Sequence, residues 1–217
     1  MVVEDDKNIN EVVCEYMKDA GYAVAPYLDG AAALAGLMAD PGISLFIFDI
    51  MLPGASGFEL LREVRGSAAH STKPVIMLTA LGDEATQVMS FDALADDFVA
   101  KPFSPKVLVR RVNSLLRRSS GGVKKLRHEG IEIDFDRYEA TDHGAPVNLT
   151  VREIELLAAL MRNSGKIMSR QQLLDSAWGR DYFGDERIVD AHIKNLRKKL
   201  AGGAIQTVKG IGYKLGG

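Results

Sequence analysis

Short apolar runs alternate with amphipathic stretches of helical length through the first half of the chain. Met1–Val3, Tyr22–Val24, Leu45–Phe48, Val75–Leu78 and Phe98–Ala100 are each followed by a segment with apolar residues at helical spacing. That order predicts an α/β domain: a doubly wound five-strand parallel sheet with helices on both faces and its functional site at the carboxyl ends of the strands. The last amphipathic stretch, Ser104 to Arg117, carries Pro105 in its first turn, where a missing N–H costs little. It runs into Arg118-Ser-Ser-Gly-Gly122, whose small residues predict a linker over 119–125.

Beyond the linker the pattern changes. Two short strands, Gly130–Phe135 and Arg137–Thr141, precede helix-like stretches at Thr150–Asn163, Ser169–Trp178 and Glu186–Leu200, and a hairpin over Ile205–Leu215 closes the chain. Three helices and a terminal hairpin form an α+β winged helix-turn-helix plan. Thr150 ahead of Glu153 reads as a capping box, hydroxyl and carboxylate each satisfying an amide at the helix start.

Composition fits two ordinary domains, 1–118 and 126–217. Of 217 residues 47% are hydrophobic and 26% charged, which excludes a disordered, collagen-like or disulfide-scaffold chain. Cys14 is the single cysteine, so no internal disulfide forms and a reducing compartment is expected. No run of 18 apolar residues and no basic-then-apolar leader stands in the sequence, which predicts a cytoplasmic protein with no membrane partner. The net charge of −2 hides an asymmetry: residues 1–118 hold 11 Lys and Arg against 16 Asp and Glu, a net of −5, and residues 119–217 hold 16 against 13, a net of +3. Arg187 to Lys214 alone has seven basic residues and one acidic, either a footprint for nucleic acid or a solvated helix face.

Candidate chemistry falls at the predicted strand ends. Glu4, Asp5 and Asp6 follow the first strand, Asp49 the third, Thr79 the fourth and Lys101 the fifth, so a parallel sheet brings them to one edge. Clustered carboxylates suit a hard cation such as Mg²⁺. A carboxylate beside such a cation can take a phosphoryl group, with an ammonium neutralising the transferring oxygens and a hydroxyl donating to one of them. Each residue alone reads equally as a helix cap, a turn or a strand terminator; the convergence of all of them argues for chemistry.

Met1-Val-Val-Glu-Asp-Asp6, Phe48-Asp-Ile-Met-Leu-Pro-Gly54, Met77-Leu-Thr-Ala80 and Ala95-Asp-Asp-Phe-Val-Ala-Lys-Pro-Phe103 resemble the receiver domain of bacterial two-component response regulators. The resemblance implies a flavodoxin-like domain that accepts a phosphoryl group from a sensor histidine kinase and is not an enzyme toward other substrates. It implies Asp49 as phosphoacceptor, and Glu4 and Asp5 as the acidic pair. Asp5, Asp49 and the Met51 carbonyl would surround Mg²⁺, with Asp6 an additional acid. Thr79 and Lys101 would be the switch hydroxyl and the phosphate-contacting lysine, the Met51 and Ala80 amides would complete the phosphoryl site, and the bond before Pro102 would be cis. Phe98 stands where a switch tyrosine is frequent, so it can change rotamer but lacks a hydroxyl to fix either. Relatives commonly start several residues before the first apolar strand, whereas this chain starts inside it.

Glu186 to Leu200, followed by Thr207-Val-Lys-Gly-Ile-Gly-Tyr213, resembles the C-terminal DNA-binding domain of the OmpR/PhoB subfamily. In the helix, Ile188, Ala191 or His192, Leu196 and Leu200 recur at core spacing, leaving Arg187, Lys194, Asn195, Arg197 and Lys198 for the other side. Asn195 and Arg197 are the expected base readers, lysines hold phosphates, and His192 is either a backbone-phosphate contact or a polar residue without a role. Lys209 sits in the expected wing, where glycines permit positive φ and close approach to DNA, while Tyr213 reads as packing. The segment Trp178–Asp185 faces DNA or RNA polymerase in that family, with burial of Trp178 the equal alternative. The resemblance also implies a homodimer formed on phosphorylation: Asp97 with Arg111 matches one intersubunit pair and Arg118 with Asp92 or Asp96 another, while Gln87 and Val107 replace a third.

The resulting expectation is a regulator that is phosphorylated on Asp49 and dimerises through the receiver to bind double-stranded promoter DNA. A constitutively dimeric, phosphorylation-independent DNA binder and an enzyme with an aspartyl intermediate are the alternatives; absence of Mg²⁺ binding marks the first and turnover of a phosphate ester the second.

Overall fold

A computed structural model describes residues 1–80, 95–116, 125–179, 182, 185–201 and 203–216. The chain divides into two compact units, Met1–Arg117 and Arg118–Gly217.

In the first unit five parallel strands, β1 (Val2–Val3), β2 (Pro26–Tyr27), β3 (Phe46–Asp49), β4 (Val75–Ala80) and β5 (Asp97–Lys101), lie in the order β2-β1-β3-β4-β5. Helices α1 (Lys7–Asp19), α2 (Gly30–Ala39), α3 (Gly57–Gly66) and α4 (Pro105–Leu116) accompany them. Strand order reverses direction between β1 and β3, the switch point where open α/β sheets bind ligands. Every residue of β3 is buried, as are Val75–Leu78 of β4. A parallel sheet covered on both faces needs such continuous apolar runs. The second strand lies at Pro26–Tyr27 rather than the expected Tyr22–Val24. It pairs only with β1, and an edge position tolerates the missing N–H of Pro26.

Caps fix where the helices begin. Asp6 starts α1 by accepting from the Asn8 and Ile9 amides at 2.9 and 3.1 Å, and Asp29 starts α2 through the Ala32 amide at 2.7 Å. Ser56 and Glu59 form a capping box on α3. A Cβ on Gly57 would stand 2.0 Å from the Asp49 carbonyl oxygen, so only glycine lets α3 begin this close to the end of β3. The Lys101–Pro102 bond is cis, as expected.

The second unit opens with a four-stranded antiparallel sheet, β6 (Lys125–His128), β7 (Ile131–Asp134), β8 (Glu139–Asp142) and β9 (Ala145–Val147), two strands more than the apolar pattern predicts. Helices α5 (Val151–Arg162), α6 (Arg170–Trp178) and α7 (Arg187–Lys199) follow. A short β10 (Met168–Ser169) pairs with the hairpin of β11 (Ile205–Val208) and β12 (Gly212–Leu215) in the order β10-β12-β11. The Thr150–Glu153 capping box is present, and Ser169 with Gln172 forms another on α6.

Candidate functional site

The sheet register brings the predicted acidic and basic residues to one edge. Asp49 ends β3 opposite Leu78, so Thr79 stands one residue further along β4, and Ala80 pairs with Lys101 on β5. Glu4 and Asp5 follow β1, the immediate neighbour of β3. Carboxylate oxygens of Glu4, Asp5 and Asp49 lie within 4.8 Å of one another. The Lys101 ammonium is 2.6 and 2.8 Å from the two Glu4 oxygens and also bonds to Asp49 Oδ2. The Met51 amide donates to Asp49 Oδ1 at 3.0 Å. Thr79 Oγ1 donates to the Ala80 carbonyl at 3.2 Å, a weak local bond that leaves the hydroxyl at the exposed rim. Asp6 caps α1 and is not among the clustered acids.

Charge decides what this edge accepts. Among the described residues three carboxylates face one ammonium, and Glu4 is completely buried. Burial raises its pKa most, the Lys101 hydrogen bond pulls it down, and the Asp49 charge raises it again, for a net upward shift. Burial opposes the charge on Lys101, but hydrogen bonds to Asp49 and Glu4 outweigh it and raise that pKa too. Excess negative charge in a partly desolvated oxygen-only site is the donor chemistry that suits Mg²⁺, which takes one or two carboxylates and keeps waters. Phe98, half-buried, packs against the cluster that includes Phe46, Phe48 and Met77.

The expected dimer residues divide. Asp92, Arg118 and Gln87 lie outside the described residues, and Val107 is exposed. Asp96 has no exposed surface; it accepts from Arg65 at 2.7 Å and from the Val75 amide at 2.8 Å, which withdraws it as a partner for another subunit. Asp97, nearly as buried, holds Arg111 of its own chain with both oxygens at 3.0 Å.

In the second unit α7 presents three faces. Ile188, Val189, His192, Ile193 and Leu196 are buried. His192 stands at 5.2 Å from the Trp178 ring, so the phosphate-contact expectation for it is corrected to a core position, and Ala191, half-exposed, belongs outside. Trp178 is itself buried against Arg152, Tyr182 and His192; residues 180, 181, 183 and 184 of the segment that follows lie outside the described residues. Lys194 and Lys198 are exposed, Asn195 half-exposed, and Arg187 is held by Asp185 at 2.7 Å. Arg197 turns to the hairpin: its Nε donates to the Ile205 carbonyl at 3.0 Å and its Nη2 to Thr207 Oγ1 at 2.7 Å.

The positioning groups that sequence reasoning missed are acidic. Asp190 accepts from the Tyr213 hydroxyl at 2.6 Å and Arg170 Nε at 2.7 Å. Glu153, besides capping α5, bonds the Lys199 ammonium at 2.7 Å, and Asp142 Oδ2 accepts from the Ala201 amide at 2.7 Å. Together they tie α7 to α6, β12 and α5, and the residue just beyond its end to β8. At the wing, Lys209 is exposed and Gly210 has φ +77, the conformation the sequence called for. Gly212 has another reason, because a Cβ there would stand 2.0 Å from the Met168 carbonyl oxygen and separate β12 from β10.

A sheet of this order with an acid–lysine edge, joined to a winged helix, defines a response regulator. Residues 1–113 match the profile of the response regulator receiver domain, and residues 144–215 that of the C-terminal domain of transcriptional regulatory proteins. The chain belongs to the OmpR/PhoB-type two-component response regulators, which bind DNA and regulate transcription. It is 40% identical over 215 residues to the regulatory protein VanRB of Enterococcus faecalis, covering 99% of this chain and 96% of that one. It is 39% identical over 232 residues to the transcriptional regulatory protein ResD of Bacillus subtilis, covering 99% and 94%. Among solved structures it is similar to the response regulator DrrB, an OmpR/PhoB homologue of Thermotoga maritima, at 32% identity and a TM-score of 0.51 over 100% of this chain and 97% of that one.

Proposed function

We propose that this regulator is switched by phosphorylation of Asp49 from a sensor histidine kinase. The observation that carries the reading is the acidic edge, where one ammonium bridges Asp49 and Glu4 with Asp5 alongside. An Asp49 carboxylate oxygen forms a bond to phosphorus as the phosphorus–nitrogen bond of the donor phosphohistidine breaks; the leaving imidazole nitrogen takes a proton. Lys101 neutralises charge on the phosphoryl oxygens, the Thr79 hydroxyl donates to one of them, and the Met51 and Ala80 amides supply further donors. Glu4, Asp5, Asp49 and the Met51 carbonyl would hold Mg²⁺, which when bound supplies charge neutralisation on the transferring oxygens. Thr79 and Phe98 then act as the switch.

The phosphoryl state favours a receiver homodimer, which raises the effective concentration of the second winged helix on repeated promoter half-sites in the cytoplasm, where it meets RNA polymerase. Arg187, Lys194, Asn195, Lys198 and Lys209 form the DNA-contacting set, with 1–118 and 126–217 as the functional domains and 119–125 as the linker. The test is intact mass after incubation with Mg²⁺ and a small-molecule phosphodonor. A single phosphoryl adduct is expected for the wild-type chain and none for Asp49→Ala; a wild-type chain that takes no adduct yet binds DNA would favour a phosphorylation-independent regulator.

A further inference from the structure

We propose that the winged helix reads an A·T base pair in each half-site through Asn195, with Ala191 beside it, and that Arg197 is a positioning residue for the wing. The inference rests on the reading of α7 as the helix that enters DNA. Arg187, Ala191, Lys194, Asn195 and Lys198 fall four, seven, eight and eleven positions along the helix from the first, so they form one stripe opposite the buried face. Asp190 and Arg197, seven apart, share the flank between stripe and core, and both grip Tyr213.

The grip on Arg197 is what decides. Its guanidinium carbon lies 5.5 Å from the centre of the Tyr213 ring, and two of its five donors are already spent on Ile205 and Thr207. Arg170 lies 5.3 Å from the same ring and is itself held by Asp190. To meet O6 and N7 of guanine with two parallel N–H groups, Arg197 would have to leave both hairpin bonds and the aromatic ring together. On the core-side half of the stripe there remain a carboxamide, at the edge next to Ile188, and, one turn before it, a methyl group. No described residue bonds the Asn195 side chain. A carboxamide matches N6 and N7 of adenine, and a methyl packs against the thymine C5-methyl. Lys194 and Lys198 border this pair and suit phosphates, contacts that position the helix without selecting a base.

The experiment is selection of duplexes with two randomised half-sites by the full chain at one fixed salt concentration, repeated with Asn195→Ala, Asn195→Arg and Arg197→Ala, with Trp178 emission confirming that each is folded. The wild-type chain should enrich A·T at one position per half-site. Asn195→Ala should lower affinity for the selected duplex about ten-fold and equalise the four base pairs there, and Asn195→Arg should move the preference to G·C. Arg197→Ala should weaken all duplexes alike and keep the preference. A G·C preference that disappears in Arg197→Ala, or selected sequences unchanged in Asn195→Ala, would overturn the proposal. Failure of the wild-type chain to bind any duplex would strike the DNA-binding reading itself and the proposal with it, a result distinct from altered preference among bound duplexes.

Discussion

The acidic edge of the receiver and the acid network around α7 use the same groups to opposite ends. At the receiver edge, among the described residues, three carboxylates share one ammonium, so the cluster is left negative. Around α7 the acids are matched: Glu153 with Lys199, Asp190 with Arg170 and the Tyr213 hydroxyl, Asp142 with the Ala201 amide. An unbalanced cluster gains by taking a cation, whereas a balanced one holds elements at fixed angles. Function at the first site comes from the charge left over. At the second it comes from the side chains that the balanced network keeps out of the way.

Breaking a balanced pair should therefore cost more than any change to the open cluster. Glu153→Ala removes the α5 capping box and leaves Lys199 without its carboxylate, a loss of about 3 kcal/mol in the stability of the winged-helix unit. Trp178 is the only tryptophan and lies in that unit, so its emission during urea unfolding isolates the effect. Unchanged unfolding would show that the network is ornamental. The open cluster should instead respond to ligand: Mg²⁺ at ten times its Kd stabilises the receiver by about 1.4 kcal/mol if it binds only the folded state. Calorimetry should show the receiver transition rising, no shift in the Trp178 transition, and no rise in Asp5→Asn. Equal movement of both transitions would erase the distinction between the two regions.

Much of this contrast was legible in the sequence, because strand ends and motif spacing place Asp5, Asp49, Thr79 and Lys101 without any long-range information. What escaped was whatever depends on a partner far along the chain. Strand β6, Lys-Leu-Arg-His, is too polar to stand out and exists because β7 pairs with it. The run Tyr22–Val24 is more apolar than Pro26–Tyr27, yet pairing with Val2 and Val3 selects the latter. Helical periodicity alone left Ala191 and His192 as equal choices for the core; the Trp178 ring, fourteen positions before His192, settles it. Arg197 looked like a base reader for the same reason, since its neighbours on the hairpin are ten and sixteen positions on.

The smallest expected effect probes the hinge of the balanced network. Tyr213→Phe removes one hydrogen bond but leaves Asp190 its Arg170 partner, so near neutral pH the winged-helix unit should lose only about 1 kcal/mol. The pH dependence is more telling. Burial, and then the hydrogen bond to Asp190, push the Tyr213 phenol above its ordinary 10.0. The folded unit thus holds a proton that the unfolded chain releases, and stability present below pH 10 falls as pH rises toward the folded value. The variant, with a plain phenyl ring at this position, has no such proton to lose. The stability gap between the wild-type chain and Tyr213→Phe, followed by Trp178 emission, should accordingly narrow above about pH 10. A gap that stays constant through that range would mean that the phenol ionises alike in the folded and unfolded chain, so that neither burial nor Asp190 holds its proton.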